Sequence, residues 1–125
     1  MKWMNRHLEN YWWGIELHSA VVTYDTLSWV GEDYCLSSQS FYELSEDLLQ
    51  IEFPQKKLII DVGWYNPFAT QQGFFQILVI QNMDWEKPLF SKNFRKINTL
   101  KKCISKLITQ ISDQNTLKIN RTKVL

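Results

Sequence analysis

The sequence feature that most constrains the fold is an apolar stripe with helical spacing near the carboxyl end of the chain. Three lysines between positions 101 and 106 fall off this stripe and are expected to face water. Such a stripe has to be buried against another element, so it predicts a helix over Thr99–Ser112 that packs on a sheet. Asn98 or Thr99 suits the N-cap of this helix. The stripe consists of Leu100, Cys103, Ile104, Leu107, Ile108 and Ile111.

A second helix is predicted over Ser40–Phe53. Ser40 and Glu43 have the spacing of a capping box, in which each side chain satisfies an unpaired backbone N–H of the first turn. Pro54 would end the helix, because the residue before a proline is driven out of the helical region. The apolar positions of this segment with helical spacing are Phe41, Leu44, Leu48 and Ile51.

Strands are predicted between and before these helices. Lys57–Tyr65 is typical of a half-buried strand, and the almost entirely apolar Phe74–Gln81 of a central strand that is covered on both faces. Leu89–Ile97, with three basic residues, is predicted to be an edge strand. Further predicted elements are strands over Tyr11–His18, Ala20–Tyr24 and Leu27–Leu36, and a helix within residues 2–10.

Together these patterns predict an α/β (α+β) fold. The expected architecture is a mixed or antiparallel sheet of about four to six strands with two main helices packed on it. The 125 residues are expected to form one globular domain over residues 1–125, with residues 116–125 loosely ordered.

The residue types that carry enzyme chemistry are sparse and scattered. His7 and His18 have no metal-binding spacing, and Cys35 and Cys103 are too far apart to form a close ligand pair. The four glycines are isolated from one another, so they form no phosphate-binding loop. We therefore expect no catalytic residue, no cofactor and no metal site.

The same residues indicate the compartment. Two distant cysteines without a signal peptide are typical of reduced thiols in the cytoplasm. The longest apolar segment, residues 74–80, is far shorter than the roughly 20 residues that span a bilayer. We expect a cytoplasmic protein with no membrane partner.

Charge is distributed very unevenly along the chain. Residues 1–53 contain nine acidic and two basic residues, a net charge of −7, whereas residues 87–125 contain ten basic residues and one acidic residue, a net charge of +9. Aromatic residues concentrate in the acidic part, a combination that suits an interface with a basic protein. The alternative is a nucleic-acid-binding accessory protein that uses the basic part. That alternative would act through the tail after residue 115 and Lys92, Arg95, Lys96, Lys101, Lys102 and Lys106.

One stretch resembles a known group of proteins. The apolar strand over residues 74–80, the Asp84-Trp85-Glu86-Lys87-Pro88-Leu89 turn and the amphipathic helix over residues 100–111 are similar to those of immunity proteins of bacterial polymorphic toxin systems, especially of contact-dependent growth inhibition. The resemblance implies a cytoplasmic protein that binds and neutralises a cognate toxin domain, often a nuclease, without catalysis. It implies a protein partner and no small-molecule substrate, and nucleic acid is not expected to bind.

For such a protein, the acidic segment is the expected docking surface. Carboxylates placed in the positive cleft of a nuclease would compete with its phosphate substrate and speed association, while tyrosines would supply desolvated anchors. The predicted partner-binding residues are Glu32, Asp33, Tyr34, Tyr42, Glu43, Glu46 and Asp47.

Overall fold

The computed structural model describes residues 11–31, 34, 44–66 and 73–113. Within these residues the fold is α+β, with a two-stranded hairpin, a five-stranded sheet and one long helix. The strands are β1 (Tyr11–Trp12), β2 (Ile15–Glu16), β3 (Val21–Asp25), β4 (Leu49–Phe53), β5 (Leu58–Tyr65), β6 (Phe74–Gln81) and β7 (Phe90–Phe94), and the helix is α1 (Ile97–Asp113).

The large sheet is an antiparallel meander in the order β3-β4-β5-β6-β7. The predicted strands over residues 57–65 and 74–81 are confirmed as β5 and β6, and β7 lies at an edge of the sheet as predicted. The other edge strand, β3, has a register shift at Thr23 where it pairs with β4.

α1 packs on one face of this sheet. Its whole apolar stripe is buried, which confirms the prediction of an amphipathic helix. The helix begins at Ile97, so Asn98 and Thr99 lie in its first turn and the predicted N-cap is wrong. Ile51, Ile60 and Val79 project from three neighbouring strands into the core that the helix covers.

The predicted helix over residues 40–53 is wrong in its described part. Residues 44–48 are not helical, and residues 49–53 form β4. Leu49, Ile51 and Phe53 alternate with half-buried polar residues, so the period of this segment is two. Pairing with β3 and β5 on both sides satisfies the backbone of β4, and this non-local pairing overrides the local helical spacing. The described residues thus contain one main helix instead of the predicted two.

Other predictions need smaller corrections. The predicted strand over residues 27–36 is not formed in residues 26–31, because the Asp25 carboxylate accepts the N–H groups of Leu27 and Ser28 at 2.8 and 2.9 Å and turns the chain. Residues 11–16 form the β1–β2 hairpin instead of one strand, through a turn at Trp13 and Gly14, both with positive φ. β6 is fully covered on one face only, since Phe74, Gln76 and Leu78 are half-buried. The helix predicted within residues 2–10 and the loose order predicted for residues 116–125 lie outside the described residues.

Candidate protein-binding surface

The face of the sheet opposite α1 carries the candidate surface. The register places Gln50, Asp61 and Leu78 side by side on β4, β5 and β6 on this face. One step further along the strands lie Glu52, Ile59 and Ile80, of which the two isoleucines are buried outside the main core cluster.

A glycine allows a loop segment to reach this face. The Cβ of any other residue at position 63 would point away from α1 and overlap the backbone oxygen of Glu46. The segment before β4 therefore packs directly on Gly63, held by N–H donation from Trp64 to the Ser45 carbonyl at 3.1 Å and from Leu48 to the Val62 carbonyl at 3.0 Å. This contact brings Glu46 and Asp47 next to β5, on the face of the sheet opposite α1.

Two groups on this face, Asp61 and Tyr65, have shifted pKa values. Burial, followed by the nearby charge of Asp47, raises the pKa of Asp61, although a hydrogen bond from Gln50 Nε2 to Asp61 Oδ2 at 2.9 Å opposes the shift. Burial also raises the pKa of Tyr65, and the charges of Asp61, Glu46 and Asp47 add to this effect. We define the acidic face as Glu46, Asp47, Glu52 and Asp61 together with the tyrosines Tyr24 and Tyr65.

Aromatic side chains border the carboxylates. Tyr24 is 44% exposed on β3, beside Gln50 on the same face. Tyr65 stacks on Phe74, with ring centroids 5.9 Å apart and an interplanar angle of 28°. Both rings line a concavity of about 440 Å³ that Glu46 also lines.

Three of the predicted partner-binding residues lie within the described ranges, and they occupy two separate places. Glu46 and Asp47 are exposed and lie close together at the acidic face, but on a loop segment over the sheet instead of on a helix. Tyr34 is half-buried, packs against the core and meets Trp29 edge to face at 5.8 Å. Glu32, Asp33, Tyr42 and Glu43 lie outside the described residues.

The predicted partner-binding residues do not include Asp61, Tyr65, Tyr24 or Glu52, although Tyr24 and Glu52 belong to the acidic part of the sequence. The signal for Asp61 and Tyr65 was present, because the alternation of residues 58–65 assigns positions 61 and 65 to the face opposite the core. Trp29, one of the aromatic residues of the acidic part of the sequence, is likewise absent from the predicted partner-binding residues. It is 56% exposed, and its Nε1 donates to the Thr26 carbonyl at 2.7 Å, while Thr26 Oγ1 donates to the Asp47 carbonyl at 3.3 Å.

Several of the described basic residues lie on the side of the sheet that α1 covers. Lys102 and Lys106 are exposed on α1, and Lys101 Nζ lies 4.7 Å from the ring centroid of Trp13 in the hairpin. Lys92 Nζ is 5.3 Å from the ring centroid of Phe94 on β7. Among the described residues, these lysines therefore lie on the α1 side of the sheet, whereas Lys57 lines a concavity together with Glu52 and Ile59.

Outside the acidic face, His18 is a residue type that could act as a base or a metal ligand, and its side chain contacts a neighbouring carboxylate. His18 Nδ1 lies 3.1 Å from Glu16 Oε2. In the described ranges, no three histidine, cysteine or acidic side chains are arranged to hold a metal ion. No helix in the same ranges is long and apolar enough to cross a membrane.

Comparison with protein-family models, with curated proteins and with solved structures found no match to this chain.

Proposed function

We propose that this chain is a cytoplasmic, non-catalytic inhibitor that binds a toxin domain, in the manner of an immunity protein, and that it docks through the acidic face. The observation that carries the proposal is the convergence of Glu46, Asp47 and Asp61 around Tyr65, on the face of the sheet that α1 does not cover.

The composition of this face suits a protein partner. Exposed aromatic rings bury large apolar areas on association, and carboxylates at their border select a partner of opposite charge. Tyr24 and the stacked Tyr65–Phe74 pair would supply the apolar contacts, and the concavity beside them would accept a side chain of the partner.

A basic toxin domain is the partner that this charge favours. A nuclease needs a positive cleft to hold the phosphates of its substrate, so an acidic face seated on that cleft blocks the substrate directly. The same charges accelerate encounter, which matters for an inhibitor that has to capture a toxin before it acts.

The test is a binding and protection experiment. The probe is the carboxyl-terminal domain of the protein encoded directly upstream of this chain. Co-expression with the chain should abolish any toxicity of that domain, and the two purified proteins should form a complex in size-exclusion chromatography. A toxic domain that forms no complex at micromolar concentration and stays toxic would contradict the proposal.

Charge reversal then tests the docking surface. Replacing Glu46→Lys and Asp47→Lys together should slow association about tenfold at low salt, and the difference should shrink as salt screens the charges. The matched control reverses the same number of charges on α1, through Lys102→Glu and Lys106→Glu, and should not slow association. An unchanged association rate in the first variant would place the docking surface elsewhere.

The basic side of the molecule supports a second candidate, a nucleic-acid-binding accessory protein. It rests on the exposed Lys102 and Lys106 of α1 and the neighbouring Arg95 and Lys96. A filter-binding titration with generic RNA at two salt concentrations discriminates between the two candidates. Binding that weakens steeply with salt, and that the α1 charge reversal abolishes, would favour the second candidate.

A further inference from the structure

Asp61 has a central position on the acidic face. It lies on β5, the middle strand of the five, between Gln50 and Leu78 on the neighbouring strands. Half-buried carboxylates are unusual in the centre of a sheet, because a charge that loses water needs compensation.

The compensation of Asp61 is incomplete. Gln50 Nε2 donates one hydrogen bond to Oδ2, and within the described residues no lysine or arginine forms a salt bridge with either oxygen. The neighbouring Asp47 adds negative charge, and burial raises the pKa of Asp61. Docking of a partner would remove the remaining water, so an unneutralised Asp61 would oppose the association.

We infer that Asp61 determines which partner the acidic face accepts, by taking an arginine guanidinium from the partner protein. This inference rests on the proposed function, because it assumes that the acidic face binds a protein. A partner that carries a cation at this point neutralises the carboxylate, whereas a partner without one leaves a desolvated charge. Asp61 thus strengthens binding of a partner that supplies the cation and weakens binding of partners that do not.

The surroundings favour arginine over lysine. On this face Gly63 lies between Asp61 and Tyr65; the Tyr65 Cε2 is 3.3 Å from the position of a Cβ at residue 63, and the Tyr65 ring is stacked on Phe74. A planar guanidinium can bind a carboxylate with two parallel hydrogen bonds while its face contacts an aromatic ring, and an ammonium group cannot combine these contacts.

The first test needs no toxin. N-acetyl-arginine amide is titrated into the labelled protein and followed by NMR, with N-acetyl-citrulline amide as the neutral control of the same shape. We expect saturable shifts of the Gln50 side-chain amide and of the Tyr65 backbone amide with the arginine compound only, and their loss in Asp61→Asn. Equal shifts with citrulline, or none with arginine, would overturn the inference. Because this test uses no toxin domain, its failure is distinct from failure of the proposed function.

The second test uses the complex. Asp61→Asn should weaken binding on the order of 30-fold or more, mainly through faster dissociation, because the partner's guanidinium is left unpaired. Asp84→Asn, at an exposed carboxylate in the turn after β6 and outside the acidic face, is the matched control and should change affinity much less. Unchanged affinity in Asp61→Asn would refute the role of Asp61.

Stability of the free protein separates recognition from a structural role. The raised pKa means that the folded protein binds the Asp61 proton more tightly than the unfolded chain, so ionisation at neutral pH lowers stability. Asp61→Asn should therefore melt at the wild-type temperature or above it at pH 7. A residue kept for the fold would instead lower the melting temperature on replacement.

Discussion

Gly63 connects the fold to the acidic face, and Gly63→Ala tests that connection. The added Cβ would overlap the backbone oxygen of Glu46 and approach Tyr65 Cε2 to 3.3 Å. A backbone atom cannot rotate away as a side chain does, so the segment before β4 has to move. We expect the variant to lose stability and to displace Glu46 and Asp47 together.

The loss in free energy of unfolding can be estimated from the contacts that the substitution changes. Overpacking of a well-packed site costs about 1–3 kcal/mol. Displacement of the segment also weakens the Trp64–Ser45 and Leu48–Val62 backbone hydrogen bonds, each worth about 1 kcal/mol. Alanine restricts the unfolded chain more than glycine does, which offsets about 0.4–1 kcal/mol. A net loss of about 3 kcal/mol should lower Tm by roughly 10 °C in a domain of this size.

The assay is thermal and urea unfolding followed by circular dichroism. Gln76→Ala is the control, because Gln76 pairs with Gly63 across the strands on the same face and its truncation creates no overlap. We expect its stability to stay within about 0.5 kcal/mol of the wild type. A Tm within about 2 °C of the wild type is less than the shift expected for a loss of 1 kcal/mol in a domain of this size. That result for Gly63→Ala would show that the Glu46 backbone does not pack on β5.

Two further predictions concern α1. Leu107→Asp places an unpaired charge in the core and should cost more than about 4 kcal/mol, leaving the protein largely unfolded by circular dichroism, whereas Thr109→Asp on the exposed side of the helix should fold normally. A wild-type melting curve for Leu107→Asp would contradict the burial of the stripe. Burial raises the pKa of the Cys103 thiol to about 11, so at pH 8 only roughly a thousandth is thiolate, and a disulfide reagent should label it far more slowly in the folded protein than in urea. Equal labelling rates in the two states would show that the thiol is accessible.

The acidic face illustrates how far sequence reasoning reaches. The concentration of carboxylates and aromatics in the first 53 residues predicts a surface for a basic partner, and this stays a prediction; the structure places two of those carboxylates, Glu46 and Asp47, beside β5. Asp61 was missed because it belongs to a strand whose apolar residues dominated the interpretation. Only the pairing of β4 with β5 brings Asp61 close to Glu46 and Asp47.

The error over residues 40–53 has a related cause. Leu44, Leu48 and Ile51 satisfy a helical spacing, while Leu49, Ile51 and Phe53 satisfy the strand spacing equally well. A capping box and a following proline are local signals, and they cannot report that two neighbouring strands are available for pairing.

The sequence by itself determined α1, β5 and β6, because each carries a long periodic pattern that one element can satisfy, and a helix closes its hydrogen bonds within its own segment. It also determined the opposite charges of the two ends of the chain. Only the tertiary structure decided that residues 49–53 form a strand, that Gly63 seats Glu46 against β5, and that Asp61 is half-buried beside Asp47. These features depend on contacts between segments distant along the chain, and the hydrogen bonds of a strand exist only when its neighbours are in place.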